Sequence, residues 1–143
     1  MKYRILEHRA DIKIKVLGKT LEELYKNAVW AMAEILYKNL KLKTENLKLA
    51  KTLITKSADK EILLVDFLND VLGGSQINQA IYPEVKLVDF QPDGIKGVSY
   101  LKAEISGYAI ERFDEDIKAV TYHDLRIHQS KNGIWEATIL FDV

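Results

Sequence analysis

The sequence contains no cysteine, and this absence excludes several classes of protein at once. Disulfide frameworks, zinc ribbons, iron–sulfur clusters and thiol nucleophiles all require cysteine. Long apolar runs are also missing, because no window approaches the roughly 18 apolar residues that cross a membrane. Residues 1–8 lack the apolar stretch of a signal peptide. We therefore expect a cytoplasmic protein with no membrane partner.

An excess of positive charge is likewise absent. The 143 residues carry 21 basic and 21 acidic side chains, and only four of the basic ones are arginine. A protein whose main role is to bind nucleic acid needs an excess of lysine and arginine, which displace counterions from the phosphates. The balanced charge of this sequence argues against such a role. The charge is uneven, however, since residues 38–60 are lysine-rich and residues 104–116 are acidic. The two regions are either solvated surfaces or patches that steer a partner of opposite charge.

Motifs of self-contained catalysis are missing as well. There is no glycine-rich phosphate loop, no G-x-G-x-x-G fingerprint and no G-x-S-x-G nucleophile elbow. A stand-alone enzyme of this sequence would therefore depend on a metal-bound water.

Two helices and several alternating strands are predicted. Apolar residues at helical spacing run from Leu21 to about Asn39, after a capping box at Thr20 and Glu23. A second helix is expected from about Lys60 to Leu72, with Asp59 as its N-cap and Gly73-Gly74 as its stop. Strands are expected at 12–16, 47–55, 85–90, 100–109, 125–129 and 135–141, with a hairpin turn at Asn132-Gly133. The order predicts one α+β domain over residues 1–143, a two-layer sandwich of a largely antiparallel sheet and two main helices on one face.

Three short stretches carry candidate site residues. They are His8-Arg9-Ala10-Asp11, the run from Ile117 to His123, and Phe141-Asp142-Val143. Taken singly, each has an ordinary structural reading, such as a turn aspartate or a partly buried histidine. Taken together, two carboxylates with main-chain or terminal oxygens form a set that hard cations such as calcium prefer. If His8 or His123 joined them, a transition metal would be favoured instead.

These stretches resemble the archease family, and the resemblance extends along the whole chain. The matching segments are His8–Ile12, Gly18–Leu24, Leu63–Asp70, Ile117–His123, Trp135–Ala137 and Phe141–Val143. The resemblance implies an archease-like α+β fold and an accessory protein that is not itself an enzyme. It further implies that the protein activates an RtcB-type RNA ligase in tRNA splicing, by promoting guanylylation and multiple turnover of the ligase. The protein would contact tRNA only indirectly, through the ligase.

The resemblance also implies a metal, taken to be Ca²⁺, in an acidic pocket. Its ligands correspond to Asp11 and Asp142, with an oxygen of Val143 as a further contributor. Lys118, His123 and His8 are expected in the partner-facing surface. Two departures from the family pattern are Arg9, where threonine is usual, and Gly73–Asn78, where an aromatic-rich segment is expected. The arginine–histidine pair that the family carries before Lys118 has no clear counterpart.

Two other functions stay open from the residues alone. One is a metal-dependent hydrolase of a small phosphorylated substrate, which would use Asp11, Asp142 and His123. The other is a chaperone-like module that binds nucleic acid through the lysines of residues 38–60, with an affinity that falls steeply with salt.

Overall fold

The computed structural model describes residues 3–8, 11–40 and 47–143, and within them the chain forms two helices and seven strands. In chain order the elements are β1 (Tyr3–His8), β2 (Asp11–Gly18), α1 (Leu21–Leu36), β3 (Leu49–Ser57), α2 (Lys60–Asn78), β4 (Ala80–Ile95), β5 (Val98–Ala109), β6 (Ala119–Gln129) and β7 (Trp135–Asp142). Every strand pair in these residues is antiparallel. The predicted α+β class is confirmed.

The strands divide into two sheets in the described part of the chain. One sheet has the order β1-β2-β7-β6, and the other has the order β3-β5-β4. Helix α1 packs on β2 of the first sheet and β4 of the second, while α2 packs on β6 of the first and on β3 and β4 of the second. Each helix therefore contacts both sheets, and one continuous hydrophobic core joins them.

The core combines side chains from both helices and both sheets. Its largest members include Ile14 of β2, Tyr25 of α1, Phe67 of α2, Leu101 of β5 and Phe141 of β7, all fully buried. Burying a side chain of this size stabilises the fold by about 1.5–3 kcal/mol relative to leaving it exposed. In β2 and β7 every second residue is buried, so the residues between them face outward.

Helix α1 begins where the sequence predicts. The Oγ1 of Thr20 accepts a hydrogen bond from the Glu23 N–H at 3.0 Å, which satisfies one of the free amides of the first turn. The helix ends at Leu36 and not at Asn39, because Tyr37 already has an extended backbone. Its N–H nevertheless reaches the Ala33 carbonyl at 2.9 Å and closes the last turn.

Helix α2 begins as predicted but ends later. Asp59 caps its start, since Oδ1 accepts from the Ile62 N–H at 2.8 Å. The predicted stop at Gly73-Gly74 is wrong, because the helix continues to Asn78 and ends at Gln79 with φ +50°. Gly74 is buried beside the Lys51 side chain of β3, and packing of this kind holds a helix together past residues of poor helical propensity.

The final hairpin turns at Asn132-Gly133, as predicted. Gly133 has φ +83°, a conformation that glycine adopts without steric cost, and its N–H donates to the Ser130 carbonyl at 2.9 Å. Strand β6 runs from Ala119 to Gln129, so it joins the strand-like stretch before His123 to the predicted strand that begins at Leu125. The early part of β6 carries the stretch that the sequence singled out before His123.

Candidate functional site

Asp11 and Asp142 lie directly opposite each other on neighbouring strands. Asp11 opens β2 and Asp142 closes β7, and the antiparallel register makes their Cα atoms partners. The neighbouring pair, Ile12 and Phe141, is buried, so both aspartates are on the outward side of the sheet. Opposed residues on one face have Cβ atoms about 4.5–5.5 Å apart, and two like charges at that spacing repel. A cation between the carboxylates would offset this repulsion.

Residues before and within β6 complete the surroundings of Asp142 on its other side. Ala119 is the β6 partner of Asp142, and the preceding Lys118 N–H donates to the Asp142 carbonyl at 2.7 Å. The side chain of Lys118 is exposed. Asp142 therefore lies between Asp11 on one strand and the Lys118–Ala119 backbone on the other, and Val143 follows it directly.

A bulge in β6 brings His123 and a further aspartate to this end of the sheet. The β6–β7 pairing is interrupted between Thr121 and Arg126, and Asp124 within the interruption has φ +53°. His123 Nε2 lies 3.3 Å from the Asp124 carboxylate, and both side chains are mostly exposed. Bulges re-aim side chains and are common beside functional sites.

A small depression forms between this bulge and β2. Its volume is about 160 Å³, and it is lined by Asp11, Lys13, His123, Asp124 and Leu140. Asp124 is a residue that sequence reasoning missed. The only sequence signal for it is that His123-Asp124 breaks the alternation of an otherwise strand-like run, and that signal does not say on which side of the sheet the side chains fall.

Helix α2 presents polar side chains to the start of β6 and to the residues just before it. Asn69 bonds the Val120 backbone twice, since its Nδ2 donates to the Val120 carbonyl and its Oδ1 accepts from the Val120 N–H, each at 2.9 Å. Gln76 Nε2 donates to the Ile117 carbonyl at 3.0 Å. Sequence reasoning gave neither side chain a role, because nothing in the local pattern shows what an amide on a helix will contact.

Tyr122 in the bulge donates its hydroxyl hydrogen to Asp66 of α2. This hydrogen bond to the carboxylate raises the pKa of Tyr122, with burial and the negative charges of Asp66 and Asp70 acting in the same direction. Asp66 also accepts from the Ser57 hydroxyl at 2.6 Å. The carboxylate of Asp66 therefore links β3, α2 and β6.

Of the predicted site residues, the structure gathers most at one end of the first sheet. Asp11 and Asp142 are opposed, Lys118 and Val143 adjoin Asp142, and His123 lines the depression beside Asp11. The backbone of His8 pairs with Ile12, but the His8 side chain lies outside the described part of the structure, as does Arg9. The binding roles of these residues stay predictions.

The donor set fits a hard cation better than a transition metal. Among the described residues, no three His, Asp or Glu side chains are grouped so that they could hold a metal ion. The two opposed carboxylates would supply oxygen ligands and leave the rest of a cation's shell to main-chain oxygen and water. Calcium accepts such irregular all-oxygen shells, whereas zinc and copper prefer nitrogen or sulfur.

Among the described residues, no helix has both the length and the apolar character needed to cross a membrane.

Comparison with known proteins points to one family. Residues 3–143 match the model of the Archease protein family. A protein archease of Methanosarcina barkeri is 32% identical over 145 residues, covering 99% of this chain and 95% of the relative. A protein archease of Thermoplasma acidophilum is 33% identical over 143 residues, covering 100% of this chain and 94% of the relative.

Solved structures share the same architecture. The solution structure of Methanobacterium thermoautotrophicum protein 1598 matches with a TM-score of 0.75 at 22% identity, over 99% of each chain. The crystal structure of a Thermotoga maritima archease, described as a possible chaperone, matches with a TM-score of 0.64 at 22% identity, over 96% of this chain and 94% of that one. The family model and the curated relatives together show that this chain belongs to the archease family.

Proposed function

We propose that this protein is an accessory factor that activates an RtcB-type RNA ligase in tRNA splicing. It promotes guanylylation of the ligase and multiple turnover, and it is not itself a ligase. Membership of the archease family supports this role. The observation that carries it is the placement of Asp11 directly opposite Asp142 at an outward-facing end of a sheet. A cytoplasmic location is part of the proposal, and the lack of cysteine is consistent with it.

The aspartate pair is proposed to hold a divalent cation, Ca²⁺, with an oxygen of Val143 as a further ligand. Asp142 is exposed and Asp11 is half-buried, so the pair is accessible to a partner protein and is not enclosed by the fold. The cation supplies positive charge that offsets the repulsion between the two carboxylates. A partner contacts a preformed, charge-compensated surface in this arrangement, with the exposed Lys118 and His123 at its border.

A multiple-turnover ligation assay with the cognate ligase tests the activation. Wild-type protein should convert the ligase from a single turnover to many, while the protein without ligase should join no RNA. Asp142→Asn should lower the stimulated rate by at least about tenfold, the order of loss expected when a metal site is disturbed. Asp93→Asn, an equivalent change at an exposed aspartate of β4, should stimulate like wild type. No stimulation by wild type would remove the proposed function.

Calorimetric titration with calcium tests the metal separately. Wild type should bind one Ca²⁺, and Asp11→Asn and Asp142→Asn should each bind it at least about tenfold more weakly. Equal binding by wild type and Asp11→Asn would eliminate the site. Turnover of generic phosphoesters by the calcium-loaded protein alone would instead favour the hydrolase alternative.

A further inference from the structure

The part of β6 that adjoins Asp142 has little support from its own sheet. Only Ala119, Val120 and Thr121 pair with β7 there, and the ladder resumes at Arg126 beyond the bulge. β6 is also the edge strand of the β1-β2-β7-β6 sheet in the described structure, so it has a strand neighbour on one side only. A three-residue ladder at a sheet edge forms few backbone hydrogen bonds and is expected to open easily.

Helix α2 supplies the hydrogen bonds that a second strand would provide. A carboxamide has the same donor and acceptor as a peptide group, and Asn69 uses both on the Val120 backbone, at 2.9 Å each. Gln76, seven residues further along the helix, donates to the Ile117 carbonyl at 3.0 Å. Residues seven apart return to the same helix face, so both amides reach the segment from Ile117 to Val120. The side chains of Ile117 and Val120 are buried, which holds the intervening backbone against the core.

We propose that Asn69 and Gln76 are positioning residues, which fix residues 117–120 beside Asp142 and so set the geometry of the aspartate pair. Lys118 lies between the two anchored positions, and its N–H holds the Asp142 carbonyl at 2.7 Å. Loss of the anchors leaves this backbone held only by its buried side chains and by its short pairing with β7, so Asp142 is restrained less firmly on the β6 side. The consequence for calcium and the ligase rests on the proposed function, whereas the anchoring of the segment does not.

Asn69→Leu tests the proposal, because leucine has the same branched arrangement of side-chain heavy atoms and neither hydrogen-bonding group. Asn78→Leu is the matched control, since it makes the same change on the same helix where the amide contacts Tyr82 of β4 at 2.7 Å. Amide hydrogen exchange at Lys118 and Val120 should quicken by about tenfold or more in Asn69→Leu, relative to Asn78→Leu and to core amides such as Phe67. Calcium affinity should fall by about fivefold or more in Asn69→Leu and stay at the wild-type value in the control.

Asn69→Asp sharpens the test, because it keeps the acceptor for the Val120 N–H and removes the donor to the Val120 carbonyl. Exchange of the Val120 N–H in Asn69→Asp should be faster than in wild type and slower than in Asn69→Leu, because this N–H keeps its acceptor. Should Asn69→Leu fail to fold, Gln76→Leu removes a single bond at an exposed side chain and should quicken exchange at Lys118 by about threefold.

Two results would overturn the proposal. One is exchange at Lys118 and Val120 that is as slow in Asn69→Leu as in the control, which would show that the segment is held without the helix. The other is faster exchange with unchanged calcium affinity, which would show that the segment does not set the site. If wild type binds no calcium, the proposed metal site fails by itself, and the exchange comparison still decides whether α2 anchors the strand.

Discussion

The two ends of the β1-β2-β7-β6 sheet are built in contrasting ways. Near the final hairpin, residues 126–129 pair with residues 135–138 without interruption, and Glu136 lies 3.5 Å from the Lys15 ammonium and 2.9 Å from the His128 imidazole. At the other end, two aspartates face each other and the β6 ladder is cut short by a bulge. The hairpin end has a continuous ladder and opposite charges on neighbouring strands, both of which stabilise a sheet. The aspartate end has an interrupted ladder and two like charges opposite each other, both of which destabilise one. In an otherwise consistent fold, such conflicts are typical of functional sites.

The largest predicted effect concerns the core beneath the aspartate end. Phe141→Ala removes a fully buried ring next to Asp142 and should lower the free energy of unfolding by about 3–5 kcal/mol. Trp135→Ala, at the hairpin end of the same strand, removes a half-buried ring and should cost less. Urea denaturation of both variants measures the difference. Equal losses of unfolding free energy would mean that Phe141 and Trp135 are buried to the same extent, contrary to the structure.

A smaller effect concerns the hairpin turn. Gly133→Ala should destabilise the protein by about 1–2 kcal/mol, because alanine resists the left-handed backbone at φ +83°. Its Cβ would meet nothing closer than 3.8 Å, so crowding adds no cost.

Gly73→Ala is the control for Gly133→Ala. It lies inside α2 with open space around it and should stabilise by about 0.5–1 kcal/mol. Thermal unfolding of both variants measures whether each change raises or lowers the stability. Calcium affinity should be unchanged in both variants. Weaker calcium binding by Gly133→Ala would show that the hairpin end is not independent of the aspartate end.

The smallest effects should have opposite signs at the two ends. In metal-free buffer at neutral pH, Asp142→Asn should raise the free energy of unfolding by about 0.2–1 kcal/mol, because it removes one of two opposed like charges. Glu136→Gln should lower it by up to about 1 kcal/mol, because it removes a partly exposed ion pair with Lys15. Chemical denaturation in the presence of a chelator measures both. A loss of stability in Asp142→Asn would show that its carboxylate makes favourable contacts without a cation.

Local chemistry predicted much of the fold correctly. Thr20 and Asp59 were identified as helix caps because their side-chain oxygens satisfy free amides within three residues, a purely local interaction. The Asn132-Gly133 turn was identified for a similar reason, since it depends on backbone conformations that these two residues tolerate. The end of α2 was missed because glycine's helical propensity is a weak preference, and packing against β3 and β4 outweighs it.

The candidate site divides in the same way between local and distant causes. The residue types and their order pointed to Asp11, Asp142 and Lys118, through the resemblance to archeases. Their arrangement depended on the pairing of β2 with β7, which joins positions more than a hundred residues apart. The broken alternation at His123-Asp124 does not show that Asp124 falls in the same depression as Asp11, and nothing in the local sequence shows what the Asn69 and Gln76 amides contact.

The amino-acid sequence alone determined the helix starts, the final turn, the alternation of the strands and the supply of oxygen ligands, because these depend on neighbours within a few residues. Only the tertiary structure decided that Asp11 and Asp142 lie opposite each other, that β6 bulges beside them and that side chains of α2 bind the backbone at this edge of the sheet. Those features depend on strand register and on contacts between distant elements. Register and contacts are fixed only when the common core packs and the backbone hydrogen bonds form together.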